Sequence, residues 1–174
     1  MRYLLSVDPG NHSGWALWRK FTRNWYVRRW GRTKGADAAT IYRLMTEGEL
    51  SDIDWNDCHV AVEGQWFRLP IIKSGRKHYP SANFESVAKI VESRCNWVAA
   101  AQILGASIEV VPPGVWIPAM TKEARGNTPD ACIKWAARQR YPDLKMVADE
   151  HAAILLGDYV LKEMTLKGAS HANK

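Results

Sequence analysis

The run Leu4-Leu5-Ser6-Val7-Asp8-Pro9-Gly10 constrains this chain most. It reads as a short apolar strand that ends in a carboxylate and turns at once through Pro-Gly. Burying the strand leaves Asp8 at its end, held on rigid backbone. Two more acids occupy comparable places. Glu63 ends the run His59-Val60-Ala61-Val62, and Asp149 opens the last amphipathic segment. Three carboxylates fixed at element ends, yet far apart in sequence, suggest a divalent-metal site. The alternative is that each acid caps a turn or pairs with an arginine. For Asp8 taken alone, Asp-Pro-Gly is also ordinary turn chemistry.

The rest of the chain reads as a mixed sheet with helical crossovers. Tyr3 to Val7 is the first strand, Trp15 to Trp18 the second and Trp25 to Trp30 the third, an antiparallel meander. Ala36 to Leu50 carries Ala38, Ile41, Leu44 and Met45 at helical spacing. Cys58 to Glu63 is a fourth strand, and the intervening helix makes it parallel to the first. Gln65 to Tyr79 is irregular and basic, with Pro70 and Gly75 to break structure. Ser81 to Leu104 is a long helix with Phe84, Val87, Ala88, Val91, Cys95 and Val98 on one side, and Gly105 ends it. Ile108 to Val111 is a fifth strand, and Trp116 to Met120 a short turn or helix. Thr128 caps a helix that starts at Pro129 and runs to about Arg140, and the last helix spans about Val147 to Leu166. The order βββ-α-β-α-β-α-α is that of an α/β, ribonuclease H-like fold: a five-stranded mixed sheet with helices on both faces. The expected division is one domain over 1–167 and a flexible tail over 168–174. If the first and fourth strands are neighbours, Asp8 and Glu63 meet at one edge of the sheet, and Asp149 joins them from the last helix.

Composition bears on the partner. A chain of 174 residues is long enough for one domain with a sizeable core, and a formal net charge of +6 favours a polyanion. The chain has nine tryptophans, and Trp15, Trp18, Trp25, Trp30 and Trp66 lie among arginines and lysines. Rings stack on bases while cations meet phosphates, so the set suits nucleic acid, although any single tryptophan is better read as packing. The basic loop adds Trp66, Phe67, Arg68, Lys73, Arg76 and Lys77. It leaves directly from Glu63, which favours contact with substrate over a bare surface loop. Cys58, Cys95 and Cys132 are isolated, with no metal-ligand or redox spacing, and read as reduced, mostly buried thiols. The longest apolar stretch, Trp97 to Leu104, is too short to span a bilayer. A strand starts almost at the N-terminus, with no signal peptide before it. A cytoplasmic protein with no membrane partner is therefore expected.

At this point the chain resembles the RuvC family of Holliday junction resolvases, in its bacterial or phage form. Leu5-Ser6-Val7-Asp8-Pro9-Gly10 with Gly14 is similar to the family's first catalytic strand, and Val60-Ala61-Val62-Glu63 to its second. Trp66 and Phe67 fall where the family places an aromatic that wedges into the junction. Ser86, Lys89 and Arg94 resemble a serine, lysine and arginine on its long helix. Val110-Val111-Pro112 with Val115-Trp116 resembles its last strand and the turn after it. Ala148-Asp149-Glu150 followed by Ala153-Ile154-Leu155-Leu156 resembles its final helix. Two departures stand out. The segment between Glu63 and Ser86 is longer than the bacterial enzymes lead one to expect. The family also has a second acid three residues after the first on the final helix, where this chain has Ala152. Glu150 and His151 point about 100° and 200° away from Asp149 on a helix, so neither replaces that acid simply. Three readings stay open. Asp149 suffices with Asp8 and Glu63, His151 supplies a fourth ligand, or Ala152 is an inactivating replacement of an aspartate.

The resemblance implies a metal-dependent endonuclease acting on four-way DNA junctions as a homodimer, encoded by a bacterium, phage or prophage. Asp8, Glu63 and Asp149 would hold two Mg²⁺ or Mn²⁺ ions about 4 Å apart. Lys89 is a candidate to neutralise phosphate charge; the alternative is an ordinary exposed helix lysine. Arg94, Lys122 and Arg125 are candidates to grip the DNA backbone. A two-fold junction nicked on opposing strands calls for two symmetry-related sites, with the long helix from Ser81 as candidate interface. The competing readings are a general branched-DNA or RNA-processing nuclease on the same fold, a nucleotide-binding actin-like or sugar-kinase module, and a junction-binding protein without activity. The actin-like module needs two similar halves and a longer chain.

Overall fold

The computed structural model describes residues 1–33, 37–64, 71–73, 76–78 and 84–172. Three strands come first: β1 (Tyr3–Asp8), β2 (Gly14–Phe21) and β3 (Asn24–Arg32). Helix α1 (Ala38–Thr46) and a single 3₁₀ turn lead to β4 (Cys58–Glu63). A short hairpin, β5 (Ile71–Lys73) with β6 (Arg76–His78), precedes helix α2 (Phe84–Ile103) and strand β7 (Ser107–Val111). Helices α3 (Pro113–Thr121), α4 (Pro129–Arg140) and α5 (Ala148–Ala172) complete the chain. The main sheet has the order β3-β2-β1-β4-β7. β1 pairs antiparallel with β2 and parallel with β4, and β4 pairs parallel with β7. The mixed five-stranded sheet expected from the sequence is the one observed.

Strand alternation divides the core into two layers. Tyr3, Leu5, Val7, Val60 and Val62 face α1 and α2, in one cluster with Ile41, Met45 and Trp97. Leu4 and Ala61 face the other way, in a cluster with Trp116 of α3, Ile133 of α4 and Ile154 and Leu155 of α5. The same alternation settles where the strand-end acids go. Asp8 follows Leu4 and Ser6 in phase, and Glu63 follows Ala61. Both therefore belong to the face covered by α3, α4 and α5. The parallel register aligns Val7 with Val62, which leaves Asp8 and Glu63 side by side at the ends of neighbouring strands.

Helix α5 lies close on β1 and β2 because two glycines admit it. A methyl group at Gly157 would overlap the Trp18 indole and the Ser6 hydroxyl. One at Gly14 would overlap the carbonyl of Asp149. Gly14→Ala is therefore expected to cost about 1–3 kcal/mol of stability, the usual scale of overpacking, and to displace the first turn of α5. Urea unfolding measures the first effect.

Several local expectations need correction. α1 is shorter than the segment Ala36 to Leu50: Asp37 caps it, accepting from Thr40 N at 2.9 Å. The segment read as irregular contains the β5–β6 hairpin, which joins Lys73 opposite Arg76 and Ile72 opposite Lys77. Trp66, Phe67 and Arg68 lie outside the described residues. The buried face of α2 is rotated from the apolar one and centres on Ser93, Trp97, Ala100 and Ala101. Ser93 hid this face, since a serine reads as polar; its hydroxyl pairs with that of Ser13 at 3.0 Å. α3 is a full helix from Pro113, and α5 runs through the segment read as a tail as far as Ala172. Only Cys58 of the three thiols is buried; Cys95 is exposed and Cys132 intermediate. Trp15 and Trp18 are core residues on opposite faces of the sheet, and Trp25 and Trp30 pack partly buried against the cluster that holds Trp18. Trp15 and Trp18 are thus buried away from any base, as read for single tryptophans, while Trp25 and Trp30 keep partly exposed rings. Among the described residues no helix is long and apolar enough to cross a membrane.

Candidate active site

Asp8, Glu63 and Asp149 line one cleft of about 540 Å³, bounded by β1, β4, α3, α4 and α5. The backbone fixes two of them through the strand register. Asp149 is placed by the first turn of α5, where Glu150 Oε2 accepts from Val147 N at 2.7 Å. The turn after Asp8 is braced as well: Gly10 N donates to Ser13 Oγ at 3.4 Å, and Ser13 is held in turn by Ser93 of α2. A second groove, of about 370 Å³, shares Asp8 and Asp149 with the first and is lined by Gly10, His12, Ser86 and Ile90.

The cleft concentrates negative charge. Burial pushes the Asp8 carboxyl well above its usual range, and the charges of Glu63, Asp149 and Asp130 push it further. Glu63 is only 5% exposed. Its Oε2 accepts a hydrogen bond from Trp116 Nε1 at 3.0 Å, which satisfies part of its demand in a dry place. Asp149 forms an ion pair with Arg32, Nε to Oδ2 at 3.3 Å. For Asp149, then, the arginine-pairing alternative is realised alongside its place in the cleft.

An all-oxygen set of this charge suits a hard divalent cation in kind. Its present geometry is not a finished cage. Among the described residues no three carboxylates, imidazoles or thiols converge tightly enough to hold one ion. Glu63 instead contacts Trp116, and Asp149 contacts Arg32. A cation between them would have to compete with both contacts, while relieving the repulsion of the like charges.

The other site candidates divide. Ala152 lines the cleft one turn after Asp149, so an acid there would face the same space. His151 is buried and does not line the cleft; its Nδ1 lies 3.3 Å from the Ala148 carbonyl, and burial holds its pKa below the usual value. The structure does not bring His151 to the acids, which corrects its reading as a ligand. Lys89 is exposed, pairs with Glu85 at 2.8 Å and lines neither cleft nor groove, whereas Ser86 on the same helix does line the groove. Arg94 is partly buried on α2, and Lys122 and Arg125 are exposed in the segment between α3 and α4. Lys73, Arg76 and Lys77 belong to the hairpin, outside the main sheet.

Sequence reasoning missed four residues. Asp130 and Lys134, one turn apart on α4, both line the cleft. Asp130 reads in sequence as an ordinary first-turn acid and Lys134 as a solvated helix lysine, so neither gives a signal of its own. Arg32 ends a strand and meets Asp149 only through the sheet register. Trp116 was legible as a family-like position but not as the donor to Glu63.

Neither a protein-family model nor a curated protein sequence matches this chain. Solved structures do. Thermus thermophilus RuvC in complex with Holliday junction substrate superimposes with a TM-score of 0.58 at 14% identity, covering 91% of this chain and 92% of that one. A further Thermus thermophilus RuvC structure gives 0.57 at 13% identity, covering 94% and 97%. Over nearly its whole length, the chain has the fold of RuvC.

Proposed function

We propose that this chain is a metal-dependent, structure-selective endonuclease that binds and resolves four-way DNA junctions. The observation that carries this reading is the meeting of Asp8, Glu63 and Asp149 in one cleft of a RuvC-like fold, although the three are distant in sequence. Asp8, Glu63 and Asp149 would hold two Mg²⁺ ions, for which Mn²⁺ would substitute. Held by these residues, such ions would supply activation of a water and charge stabilisation at the leaving 3′ oxygen. The chain's own groups do the rest. Trp116 fixes one oxygen of Glu63, so the carboxylate approaches from a defined side. Lys134, on the cleft wall, meets the negative charge of the phosphate. Lys73, Arg76, Lys77, Lys122, Arg125 and Arg94 track the DNA backbone, while Trp66 or Phe67 stacks on a base opened at the branch point. Two copies, paired through α2, match the two-fold symmetry of a junction. The setting is the cytoplasm of a bacterial cell.

The position of Ala152 in the cleft favours a second reading, a form that binds junctions but does not cut them. Gel cleavage of a synthetic four-way junction, with and without Mg²⁺, separates the two when this chain and Ala152→Asp are compared. Cleavage by both supports an active nuclease. Cleavage by Ala152→Asp alone identifies Ala152 as the lesion. A panel of Y-shaped and linear substrates distinguishes junction resolution from general debranching. No Mg²⁺-dependent cleavage by either protein on any substrate would refute the nuclease reading.

A further inference from the structure

Arg32 lies on β3, which is separated from β1 by β2, and yet its guanidinium reaches Asp149, a residue of the cleft lining. Its place is not the accident of a long side chain. The register sets Arg32 opposite Gly14, and Gly14 is the residue against which the Asp149 carbonyl packs. Just beyond it, Thr33 N donates to Ser13 O at 2.9 Å and ties the strand end to the turn after Asp8. Backbone on both sides therefore holds Arg32 beside Asp149.

That pair has a chemical consequence. The guanidinium and a divalent cation claim lone pairs of the same carboxylate. Both partners are about a third exposed, 38% and 34%, so the pair is screened and weak. A divalent ion drawn by three carboxylates would displace it. The freed guanidinium would still be held by β3 beside Asp149, with its planar donors released from that carboxylate. A phosphate oxygen of a nucleic-acid backbone is the partner those donors fit.

We propose that Arg32 is a substrate-phosphate residue that rests on Asp149 in the metal-free protein and transfers to a DNA phosphate when metal binds. This rests on the reading of the cleft as a metal-dependent nuclease site. It adds a third function for the cleft edge: the same arginine neutralises the acid before loading and grips the strand after it.

Two titrations test the proposal on the whole chain. In the first, Mn²⁺ alone is titrated and followed by electron paramagnetic resonance, without DNA. Arg32→Ala removes a competitor and is expected to bind Mn²⁺ about threefold more tightly. In the second, a labelled four-way junction is titrated in Ca²⁺ by fluorescence anisotropy. Arg32→Ala is expected to bind it about tenfold more weakly, with the salt slope reduced by about one. Arg32→Lys, which keeps the charge, should retain that slope. Weaker Mn²⁺ binding by Arg32→Ala would make Arg32 a mere support for Asp149 and overturn the proposal. So would junction affinity and salt slope equal to those of the unaltered protein. If the unaltered protein binds neither Mn²⁺ nor junction, the nuclease reading itself falls, and the Arg32 role with it.

Discussion

Glu63→Gln is expected to abolish junction cleavage while leaving junction affinity within about threefold. The substitution is nearly isosteric, and the retained amide oxygen can still accept from Trp116 Nε1. What it removes is the charge. Glu63 is buried on rigid backbone at the end of β4, beside Asp8, so no mobile acid can move into its place. Loss of a catalytic metal ligand should lower the rate by about 10³-fold or more, on the order of 4 kcal/mol of barrier. Single-turnover cleavage and anisotropy binding read the two quantities separately. Loss of binding in step with cleavage would mean that Glu63 shapes the DNA-binding surface rather than the chemistry.

Asp8→Asn is expected to remove cleavage to the same degree and yet to stabilise the metal-free protein at neutral pH by about 0.5–2 kcal/mol. The reason is the direction of the Asp8 shift. Burial and three neighbouring carboxylates hold its folded-state pKa well above the unfolded value. A group with a raised folded pKa lends stability while it is protonated. That contribution is complete below about pH 4, where the unfolded group also keeps its proton. It is lost as the pH rises through the folded value. Asparagine cannot ionise, so the variant avoids the loss. The gap in urea midpoint between Asp8→Asn and the unaltered protein should therefore widen as pH rises from about 4 to 7. Mg²⁺ should reverse its sign, since the ion stabilises only the protein that binds it. A gap that does not change with pH would mean that neither burial nor its neighbours raise the Asp8 carboxyl.

The sequence carried most of the frame because the frame is local. β4 is bounded as expected, since an unbroken apolar run ends in Glu63. α4 is bounded as expected, since Thr128 caps it, accepting from Ala131 N at 3.2 Å, and Pro129 opens it. The pairing of Asp8 with Glu63 was legible because a helix between two strands makes them parallel neighbours. The rest depends on contacts that periodicity does not encode. The buried face of α2 turns on a serine pair across the fold, which no hydropathy pattern marks. The β5–β6 hairpin is built from two three-residue strands, Ile-Ile-Lys and Arg-Lys-His, too short to show apolar alternation. Asp130 and Lys134 reach the cleft only because α4 packs against α5. Arg32 meets Asp149 because β3 sets it opposite Gly14 of β2. His151, about 200° round the helix from Asp149, could serve as a ligand only through a shifted register, and it is buried away from the cleft lining.

The account comes down to whether the three acids share a cation. Crystals grown with Mn²⁺ and measured at its absorption edge answer this directly. The account predicts an anomalous peak bounded by the carboxylates of Asp8, Glu63 and Asp149, with Arg32 drawn away from Asp149. Well-ordered crystals with Mn²⁺ elsewhere, or none between these residues and Arg32 still on Asp149, would contradict it.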